Sequence, residues 1–377
     1  MVLKSGASVK ITAVTTWFPT KVAPSRGAFV VRDLHAIAKL HDIRAIHLVP
    51  HQDDDGTRRL VVEGIDTLRI PMNPRSPLSV VRAAKVLTTA LAGSDVIHTM
   101  AFSSLLPFAP PFRRAVPRDA AWVHTEHWSA LSTPESLGSA RHFLPLLTSL
   151  LQGPDIVTAV CDYLARPIRQ ARKGRPVDIV PCIVNPHTLH PRRSRSDGSL
   201  RLISTGGLIE RKDPHTAIRT IECLRARGVK AHLTWLGTGP LLTSSKTLSE
   251  RLGVADYVHF PGTASDTEVR RQLGSHDIFF GPTLADNFFV SAAEAIVAGR
   301  PVVLGATGGQ SEYVAEKVGH LVSQQNPEVY ADAILDVDEC TRDLTSEEIS
   351  ETIGSRFSSD TVSRDYDSTY MRALASK

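Results

Sequence analysis

The sequence predicts an α/β protein made of two doubly wound, Rossmann-like units in tandem. Three observations lead to this prediction. The chain has 377 residues, too many for one ordinary domain and suited to two domains of roughly 150–200 residues each. Short β-branched segments alternate with helical segments along the whole chain, which is typical of parallel sheets with crossover helices. A polar, charged segment at residues 190–199 separates two similar halves.

The first half of the chain alternates predicted strands with predicted helices. The predicted strands are VKITAVTT, RAIHLVP, DVIHTM, AAWVHTEH and DIVTAV. Apolar residues recur at helical spacing in VVRDLHAIAKLH, after the first strand, and in SPLSVVRAAKVLTTALAG, before the third. We therefore assign residues 1–190 to an N-terminal Rossmann-like domain.

The second half repeats this rhythm over residues 199–357, which we assign to a C-terminal Rossmann-like domain. Its predicted strands and helices include LRLISTGG, DPHTAIRTIECLRARG, AHLTWLG, YVHFPG, DTEVRRQLGSH, DIFFGPT and FFVSAAEAIVAG. The basic run HPRRSRSDGS between the halves is expected to be a solvated linker, not a nucleic-acid site. A helix over about 358–377 is expected to pack back on the N-terminal domain, by its apolar spacing. Two such units in tandem predict a ligand in the cleft between them, at the carboxyl ends of the strands.

The composition excludes several other classes of protein. Hydrophobic residues make up 42% of the chain and charged residues 22%, a balance typical of a soluble globular protein. The net charge of +4 does not indicate a nucleic-acid partner. Four cysteines lie far apart, which argues against a disulfide framework or a zinc site and fits a reducing cytosol. No apolar run has the roughly 18 residues of a membrane span, and the N-terminus does not read as a signal peptide. We therefore expect a cytoplasmic protein.

One C-terminal segment combines a helix suited to burial with two carboxylates. In FFVSAAEAIVAG, the expected N-cap is Asp286 or Asn287, and Gly299 follows the last turn. Capping explains Asp286 but not Glu294, which lies about two turns into the helix among alanines. A buried carboxylate without a partner is costly, and no Lys or Arg lies three or four positions away. Donors for Glu294 must therefore come from elsewhere in the fold or from a ligand.

The start of this helix suits a phosphate-containing ligand. Free amides at Asn287–Val290 and the helix dipole favour an anion. Glu294 cannot itself face a phosphate, because two like charges about 4 Å apart repel by roughly 4 kcal/mol at an effective dielectric near 20. It can accept hydrogen bonds from sugar hydroxyls. A nucleotide sugar, which carries both a diphosphate and sugars, meets both demands.

A resemblance to a known family lies in the segment GPTLADNFFVSAAEAIVAGRPVVLGATGGQSEYV. It is similar to the signature of the retaining glycosyltransferases of family four: an acid, seven residues, a Glu, then Ala-x-x-x-Gly-x-Pro-Val-Val and a Gly-Gly turn with a Glu. Asp286 stands where the family most often has Glu, and Asn287 and Phe289 stand where it has glycines. The resemblance implies a GT-B fold, in which two Rossmann-like domains face a central cleft, and a UDP-sugar or, less favoured, a GDP-sugar donor.

Further donor-side residues follow from the same resemblance. Lys212, in LISTGGLIERKDPHTAI, matches the lysine that contacts the donor diphosphate. The family's Arg position is Gly207 here, which leaves Arg211 as the candidate for the missing charge. Gly237 matches a turn near the nucleoside, and the backbone around Phe260–Gly262 is expected near the base. The implied donor-binding residues are Gly27, Gly207, Arg211, Lys212, Gly237, Phe260, Pro261, Asn287, Phe288, Phe289, Val290 and Glu294.

The N-terminal half resembles the same family more weakly. FPTKVAPSRGAFVVRDLHAIAKL is similar to the family's first loop and helix, with Gly27 near the donor phosphates, and AAWVHTEHWSAL is similar to the strand with the active-site histidine, here His124. The alternative for His124 is a core histidine. A metal site at HTEH is disfavoured, because residues 124 and 126 share a strand face while 127 turns away. No metal or cofactor is expected.

The resemblance implies sugar transfer, with retention, from a nucleotide diphosphate sugar to a saccharide, lipid-linked or small-molecule acceptor. The pathway would be cell-envelope polysaccharide, glycolipid or glycoside biosynthesis. The implied catalytic residues are His124, Asp286 and Lys212. Lys212 and the helix amides would stabilise the leaving diphosphate, Asp286 would bind the transferred sugar, and Glu294 would bind the ribose. A nucleotide-sugar epimerase and a catalytically silent binding partner of the same fold are the alternatives.

Basic residues in the N-terminal domain leave a membrane partner open. They are interleaved with apolar residues, and they are Arg75, Arg82, Lys85, Arg113, Arg114 and Arg118. Such residues most often form a solvated face, but a cluster of this kind can hold a protein on an anionic membrane surface. Peripheral contact with the inner face of the membrane is therefore the alternative to a purely cytoplasmic location.

Overall fold

The computed structural model describes residues 8–24, 26–110, 115–186 and 188–377. The chain divides into two compact units, one made of Met1–Ile183 with Ser358–Lys377 and the other of Val184–Phe357. Each unit is built on a largely parallel sheet with associated helices. The predicted α/β fold of two Rossmann-like units is thereby confirmed.

The first unit contains an eight-stranded sheet. Its strands are β1 (Lys10–Thr15), β2 (Asp42–Val49), β3 (Arg59–Val62), β4 (Ile65–Pro71), β5 (Val96–Met100), β6 (Ala121–Glu126), β7 (Ile156–Ala159) and β8 (Val177–Ile179). Its helices are α1 (Ala28–Ala38), α2 (Pro77–Ala90), α3 (Leu144–Thr148) and α4 (Asp162–Arg172). The strand order is β3-β4-β2-β1-β5-β6-β7-β8, in which β3 runs antiparallel to β4.

The second unit contains a six-stranded parallel sheet. Its strands are β9 (Ser199–Thr205), β10 (Lys230–Leu236), β11 (Val258–Gly262), β12 (Ile278–Gly281), β13 (Val302–Gly305) and β14 (Gly319–Val322). Its helices are α5 (Pro214–Ala226), α6 (Leu242–Arg251), α7 (Asp266–Gly274), α8 (Val290–Val297), α9 (Pro327–Cys340) and α10 (Ser346–Ser350). The strand order is β11-β10-β9-β12-β13-β14.

Both sheets change winding direction at one point. In the second unit, the chain moves outward from β9 through β10 to β11, then returns to β12 on the other side of β9. The first unit does the same around β1, with β5 as the returning strand. In sheets of this topology, ligands bind outside the carboxyl ends of the strands at the switch point. The loops that follow β9 and β12 are therefore the candidate ligand-binding loops of the second unit.

Several helices begin with a capping side chain followed by proline. Asp213 accepts a hydrogen bond from the Thr216 amide at 3.1 Å, directly before Pro214 at the start of α5. Ser76 and Asn326 cap α2 and α9 in the same way, each followed by proline. The cap satisfies an unpaired amide, and proline has the backbone angle of a first helical residue. These local signals fix where the crossover helices start.

The last helix of the chain, α11 (Ser359–Ala375), belongs to the first unit. Four of its buried residues join the hydrophobic core of α1 and β1, and they are Val362, Tyr366, Tyr370 and Ala373. The Tyr366 hydroxyl donates to a carboxylate oxygen of Asp33 on α1, at 3.2 Å. The Tyr370 hydroxyl lies 2.8 Å from Nδ1 of His98 on β5. A single helix thus connects two elements of the unit through polar as well as apolar contacts.

The basic segment between the halves is partly exposed, and two of its arginines are bound to the second unit. Arg193 and Arg195 both pair with the buried carboxylate of Asp277, at 2.9 and 3.2 Å. The backbone oxygen of His190 accepts a hydrogen bond from Arg300 at 2.8 Å. Sequence composition alone did not reveal the acidic partner, which precedes a strand 80 residues away. The second unit accordingly begins at Val184, earlier than the boundary expected from the sequence.

The basic residues of the N-terminal domain are only partly covered by the structure. Arg75, Arg82, Lys85 and Arg118 are exposed, whereas Arg113 and Arg114 lie outside the described residues. Across the part of the chain that the structure describes, every helix is too short or too polar to cross a membrane.

Candidate functional site

The loops after β9 and β12 meet at the switch point of the second sheet. β9 and β12 are neighbouring parallel strands. The backbone oxygen of Arg211, in the first loop, accepts hydrogen bonds from the Leu284 amide at 2.8 Å and from the Thr283 hydroxyl at 3.0 Å. Sequence separation between these loops exceeds 70 residues, so the sheet topology brings them together. The predicted residues Arg211, Lys212 and Asp286 therefore share one place in the fold.

Asp286 is the centre of a charged cluster, which we call the acid–base cluster and define as Asp286, Arg211 and Lys212. One carboxylate oxygen accepts hydrogen bonds from Lys212 Nζ and from Arg211 Nη1, each at 2.7 Å. The side chains of Asp286 and Lys212 are largely buried, whereas that of Arg211 is 39% exposed. Arg211 also donates to the Ala285 backbone oxygen at 2.8 Å. The cluster carries two cations and one carboxylate.

Opposing effects set the charge state of this cluster. Burial alone would raise the pKa of Asp286, but the neighbouring charges and hydrogen bonds of Lys212 and Arg211 together lower it below its usual value. Burial also lowers the pKa of Lys212, and the negative charge of Asp286 offsets part of this decrease. Asp286 is therefore ionised at neutral pH, which makes it an acceptor only.

Helix α8 begins at Val290, and its N-cap is Phe289, not Asp286 or Asn287 as expected. Phe289 has a left-handed backbone, with φ of 56°. Asp286 still satisfies an amide of this turn, because its second carboxylate oxygen accepts from the Phe289 amide at 3.2 Å. The expected stop is present, since Gly299 follows α8 with φ of 74°. The helix thus starts one turn after the acid, which lies in front of its positive end.

The two residues that replace the family's glycines, Asn287 and Phe289, are buried, as is Phe288 between them. Phe288 packs against Tyr313 and Phe357, with ring centroids 5.3 and 4.9 Å away. Phe289 is 2% exposed and packs edge-on against Phe279. Asn287 is also buried, and its backbone oxygen accepts from the Gly309 amide at 2.8 Å. These side chains point into the unit, so they do not cover the loop from the solvent side.

Two glycine turns lie beside the acid–base cluster. Gly237 follows β10 with φ of 152°, and a Cβ there would lie 1.9 Å from the Gly206 backbone oxygen. The turns after β9 and β10 therefore require glycine for their close approach. Gly207 is different, because a Cβ at this position would be 3.6 Å from its nearest neighbours, an ordinary contact. The chain has room for a side chain at Gly207 and carries none.

The remaining donor-side residues lie at the edge of this region. Phe260 and Pro261 belong to β11, with Phe260 half-buried against the core and Pro261 exposed. The Gly262 backbone oxygen accepts from the Gly237 amide at 2.8 Å. Glu294, on α8, is half-buried and not enclosed in the core as the neighbouring alanines suggested. Its carboxylate therefore does not require a deeply buried partner.

His124 lies inside the sheet of the first unit, on the buried strand β6. Its side chain is fully buried, with Nδ1 3.0 Å from the Thr99 hydroxyl and Nε2 3.2 Å from a Glu126 oxygen. All six residues of β6 are buried, because this strand is covered on both faces. The sequence expectation that His124 is a catalytic residue is thus not supported by its position, and the alternative of a core histidine fits it.

The histidine at the carboxyl end of β6 is His127, which sequence reasoning passed over. It directly follows Glu126, the last residue of the strand, and a Glu126 oxygen accepts from the amides of His127 and Trp128, both at 2.8 Å. Burial lowers the pKa of His127 to about 4, so the ring is neutral at pH 7. Phe29 of α1 packs on this ring, with centroids 4.6 Å apart. The signal that could have found it is its place just beyond a buried strand.

Gly27 occupies the start of α1 in the first unit. It is the N-cap of this helix and has φ of 71°. A Cβ at Gly27 would lie 2.1 Å from the backbone oxygen of Trp17, so only glycine allows the first loop to cross the helix end here. No group of His, Cys, Asp and Glu in the described ranges has the arrangement of a metal site.

Two family models match the chain, one in each half. Residues 27–182 match the model described as glycosyl transferase 4-like domain. Residues 188–351 match the model described as glycosyl transferases group 1. The acid–base cluster and Glu294 fall within the second match, and Gly27 and His127 within the first.

Relatives with curated names are similar over part of their length. The Escherichia coli K12 protein WcaL, named for colanic acid biosynthesis, is 28% identical over 214 residues, or 52% of this chain and 52% of WcaL. A GDP-mannose-dependent alpha-(1-6)-phosphatidylinositol monomannoside mannosyltransferase of Mycobacterium tuberculosis is 26% identical over 265 residues, or 64% of this chain and 66% of the enzyme. The matched part thus spans about a half to two thirds of each relative.

Solved structures show the same fold over the whole chain. Sucrose-phosphate synthase of Thermosynechococcus elongatus has a TM-score of 0.79 at 17% identity, covering 98% of this chain and 100% of that structure. Anabaena HepE in complex with UDP and glucose has a TM-score of 0.71 at 17% identity, covering 96% and 99%. By family and by fold, the chain therefore belongs to the GT4-like glycosyltransferases of the GT-B class.

Proposed function

We propose that this protein transfers a sugar from a nucleotide diphosphate sugar to a hydroxyl acceptor, with retention at the anomeric carbon. The observation that carries the proposal is the acid–base cluster at the switch point of the second sheet, in front of α8. Two cations at a helix N-terminus suit a diphosphate, and an ionised carboxylate between them suits sugar hydroxyls. A nucleotide sugar presents both groups on one molecule.

In this proposal Lys212 and Arg211 bind the diphosphate and stabilise the negative charge that grows on it. Lys212 has three N–H donors, so it can contact a phosphate oxygen and keep its hydrogen bond to Asp286. Arg211 supplies the second positive charge, which Gly207 cannot. Asp286 accepts hydrogen bonds from the transferred sugar, and Glu294 accepts them from the ribose.

The chemical step exchanges one bond at the anomeric carbon for another. The bond from this carbon to the diphosphate oxygen breaks, and the bond to the acceptor oxygen forms on the same face of the sugar. The acceptor proton passes to the departing diphosphate oxygen. This front-face route uses the leaving group as the base, so it requires no covalent nucleophile from the protein.

The names of relatives indicate which substrates to test first. Relatives are named for GDP-mannose, and solved neighbours were determined with UDP, UDP-glucose and ADP. One relative is named for colanic acid biosynthesis, and the name of another includes phosphatidylinositol monomannoside. We propose an acceptor of the saccharide or lipid-linked class and a UDP-sugar or GDP-sugar donor, in cell-envelope polysaccharide or glycolipid synthesis.

The test is a panel of UDP-, GDP- and ADP-sugars, with nucleotide release followed kinetically and products identified by mass spectrometry and proton NMR of the anomeric centre. Calorimetry compares donor binding by the wild type, Lys212→Ala, Glu294→Gln and the control Lys230→Ala, which changes an exposed lysine on β10. We expect the first two variants to bind donor at least about 10-fold more weakly and the control to match the wild type. Unchanged donor binding in both would refute the site.

The same panel separates the alternatives. A nucleotide-sugar epimerase would yield an altered sugar or free nucleotide without a glycoside. A catalytically silent binding partner would bind donor and turn over none of the acceptors. An inverted anomeric centre in the glycoside would refute retention while leaving transfer intact.

Membrane contact is a separate part of the proposal. Arg82 and Lys85 are exposed on α2 next to Leu78 and Val86, whose side chains are also exposed. Cations beside apolar side chains suit an anionic lipid surface. Flotation with phosphatidylglycerol vesicles should recover the wild type but much less of Arg82→Ser/Lys85→Ser. Equal recovery with neutral phosphatidylcholine vesicles would contradict an electrostatic contact.

A further inference from the structure

Phe289 has a backbone conformation that a phenylalanine adopts only at a cost. Its φ of 56° lies in the left-handed region, which is disfavoured for any residue with a side chain relative to the ordinary helical region. Glycine, which the related family has at this position, would remove the cost. The chain nevertheless places a large ring here and buries it almost completely. The ring must therefore make contacts that offset this strain.

The sheet beneath Phe289 is shaped to receive its ring. A Cβ at Gly281, the last residue of β12, would lie 2.6 Å from Phe289 Cζ, so the ring occupies the space of a side chain at that position. Phe279, on the same strand, packs edge-on with centroids 5.8 Å apart. The far end of the ring thus packs against the strand.

The Lys212 ammonium lies over the Phe289 ring. Nζ is 3.6 Å from the ring centroid and 2.7 Å from the Asp286 carboxylate. The Lys212 side chain is 11% exposed, so this contact is largely screened from water and is stronger than one at the surface. Lysine is therefore held from two directions, by a carboxylate and by an aromatic face.

Phe289 is itself fixed at both ends of its backbone. Its amide donates to Asp286 at 3.2 Å, and its carbonyl oxygen accepts from the Tyr313 hydroxyl at 2.9 Å. Asp286, Lys212 and Phe289 thus form a closed triangle of contacts, in which each member touches the other two. The backbone that carries the ring therefore cannot shift without breaking these hydrogen bonds.

We infer that Phe289 is a positioning residue for Lys212, whose ammonium its ring holds in place while the Asp286 carboxylate turns to ligand hydroxyls. This inference rests on the proposed function, in which Asp286 accepts hydrogen bonds from the sugar while Lys212 binds the diphosphate. The ring carries no charge and offers no competing hydrogen bond, so it restrains the ammonium without neutralising it. Glycine at this position would leave that task to the carboxylate alone.

The sharpest test varies the charge on the ring face and keeps the ring's shape. Site-specific incorporation of mono-, di- and trifluorophenylalanine at position 289 progressively weakens the negative ring face. We expect kcat to fall in steps along the series, by roughly 2- to 30-fold in total, with a smaller change in KM. A flat series would overturn the inference, because a purely structural ring does not sense this change.

Two matched controls lie in the same unit. Phe280 neighbours Phe279 on β12 and packs edge-on against Tyr330, so the same fluorinated residues there should leave kcat unchanged. Tyr257 carries the Arg225 guanidinium over its ring at 3.5 Å, outside the proposed site, and Tyr257→Leu should also leave kcat unchanged. Phe289→Leu should lower kcat within the range of the fluorinated series. An equal decrease at Phe280 would show a packing effect and overturn the inference.

A second readout does not depend on turnover. In protein with carbon-13 lysine, the Lys212 ε-methylene protons should show an upfield ring-current shift, which Phe289→Leu abolishes while Tyr257→Leu does not. The pKa of Lys212, measured from the same signal, should fall along the fluorinated series. If the wild type transfers no sugar but these shifts appear, the proposed function fails and the contact stands. If transfer is present and the pKa of Lys212 stays constant, the positioning role fails alone.

Discussion

Asp286 and Asp33 are two largely buried aspartates, one in each unit, with opposite acid–base behaviour. Asp33, on α1, is 4% exposed and accepts a hydrogen bond from Tyr366. Burial raises its pKa to about 7, and the Tyr366 hydrogen bond and the Arg32 charge offset only part of this effect. Burial acts in the same direction on Asp286, but Lys212 and Arg211 reverse its effect and lower the pKa.

The two aspartates differ because Asp286 pairs directly with two cations, and a buried carboxylate stays ionised where such charges offset the effect of burial. Asp286 follows a strand at the switch point, where two loops bring cations to it. Asp33 lies among apolar side chains under α11, where a tyrosine hydroxyl is its nearest polar partner shown by the hydrogen bonds. Burial alone thus does not identify a ligand-binding carboxylate. The cations beside it do.

Replacing Asp286, the ionised carboxylate, should have the largest effect on turnover. Asp286→Asn keeps an acceptor for the Phe289 amide but removes the negative charge. We expect turnover to fall roughly 100- to 1,000-fold, because a neutral amide holds the sugar hydroxyls and the two cations less well. Nucleotide release measures this loss, with the exposed Asp256→Asn as control. Wild-type turnover in Asp286→Asn would exclude a role for this charge.

Replacing Asp33 should stabilise the first unit at alkaline pH, where this buried carboxyl loses its proton. Because the folded-state pKa of Asp33 is about 7 and the usual value is 3.8, the folded protein holds the proton more tightly. Stability is therefore full below about pH 4 and is lost as the pH rises to 7 and beyond. Asp33→Asn lacks this dependence and should be more stable than the wild type at pH 8, by roughly 2–4 kcal/mol.

Urea unfolding at pH 5, 6, 7 and 8 measures this difference, with the exposed Asp119→Asn as control. The gap between Asp33→Asn and the wild type should widen with each step in pH. A constant gap would mean that Asp33 does not titrate in this range.

Removing the hydroxyl of Tyr366, the hydrogen-bond partner of Asp33, should lower stability in a pH-dependent way. Tyr366→Phe deletes the hydroxyl that donates to Asp33, which should raise the pKa of Asp33 further. We expect a loss of about 1–2 kcal/mol at pH 8 and a smaller loss at pH 5, where the carboxyl is protonated in both proteins. In the Asp33→Asn background the pH dependence of this loss should disappear, and a pH dependence that persists would have to come from another titrating group.

The smallest effect is expected from the hydrogen bond between Tyr313 and the residue that precedes α8. Tyr313→Phe removes the hydroxyl that donates to the Phe289 backbone oxygen at 2.9 Å. The loss of one hydrogen bond should cost about 1 kcal/mol of stability. Turnover should fall by less than about 5-fold, because Asp286 still holds the Phe289 amide. A decrease in turnover well above 5-fold, with a stability loss of only about 1 kcal/mol, would show that the Tyr313 hydrogen bond positions the acid–base cluster.

The sequence predicted the central strands of the sheets better than the edge strands. Gly and Pro punctuation and the alternating apolar segments located the central strands of both sheets. The β3–β4 hairpin escaped notice because its turn is Glu63-Gly64, in which both residues have positive φ, of 47° and 85°. A glutamate is not the usual residue at the first position of such a turn. Local patterns therefore gave no warning of the antiparallel edge.

Within the site, residue types were predictable but their contacts were not. The resemblance singled out Lys212 and Asp286, yet the 2.7 Å hydrogen bond between them depends on a sheet that places β9 beside β12. His124 was chosen by the resemblance, and strand alternation, which says which residues share a face, does not say where the strand ends. A strand covered on both faces hides all its side chains, so the first residue beyond it is the better candidate.

The return of α11 to the first unit has a consequence for biosynthesis. The second unit is one uninterrupted segment, Val184–Phe357, inserted between the two parts of the first. A ribosome therefore finishes the second unit while the first still lacks the helix that covers Asp33 and His98. Since domains fold as they emerge, the half that begins the chain is the last to close its core.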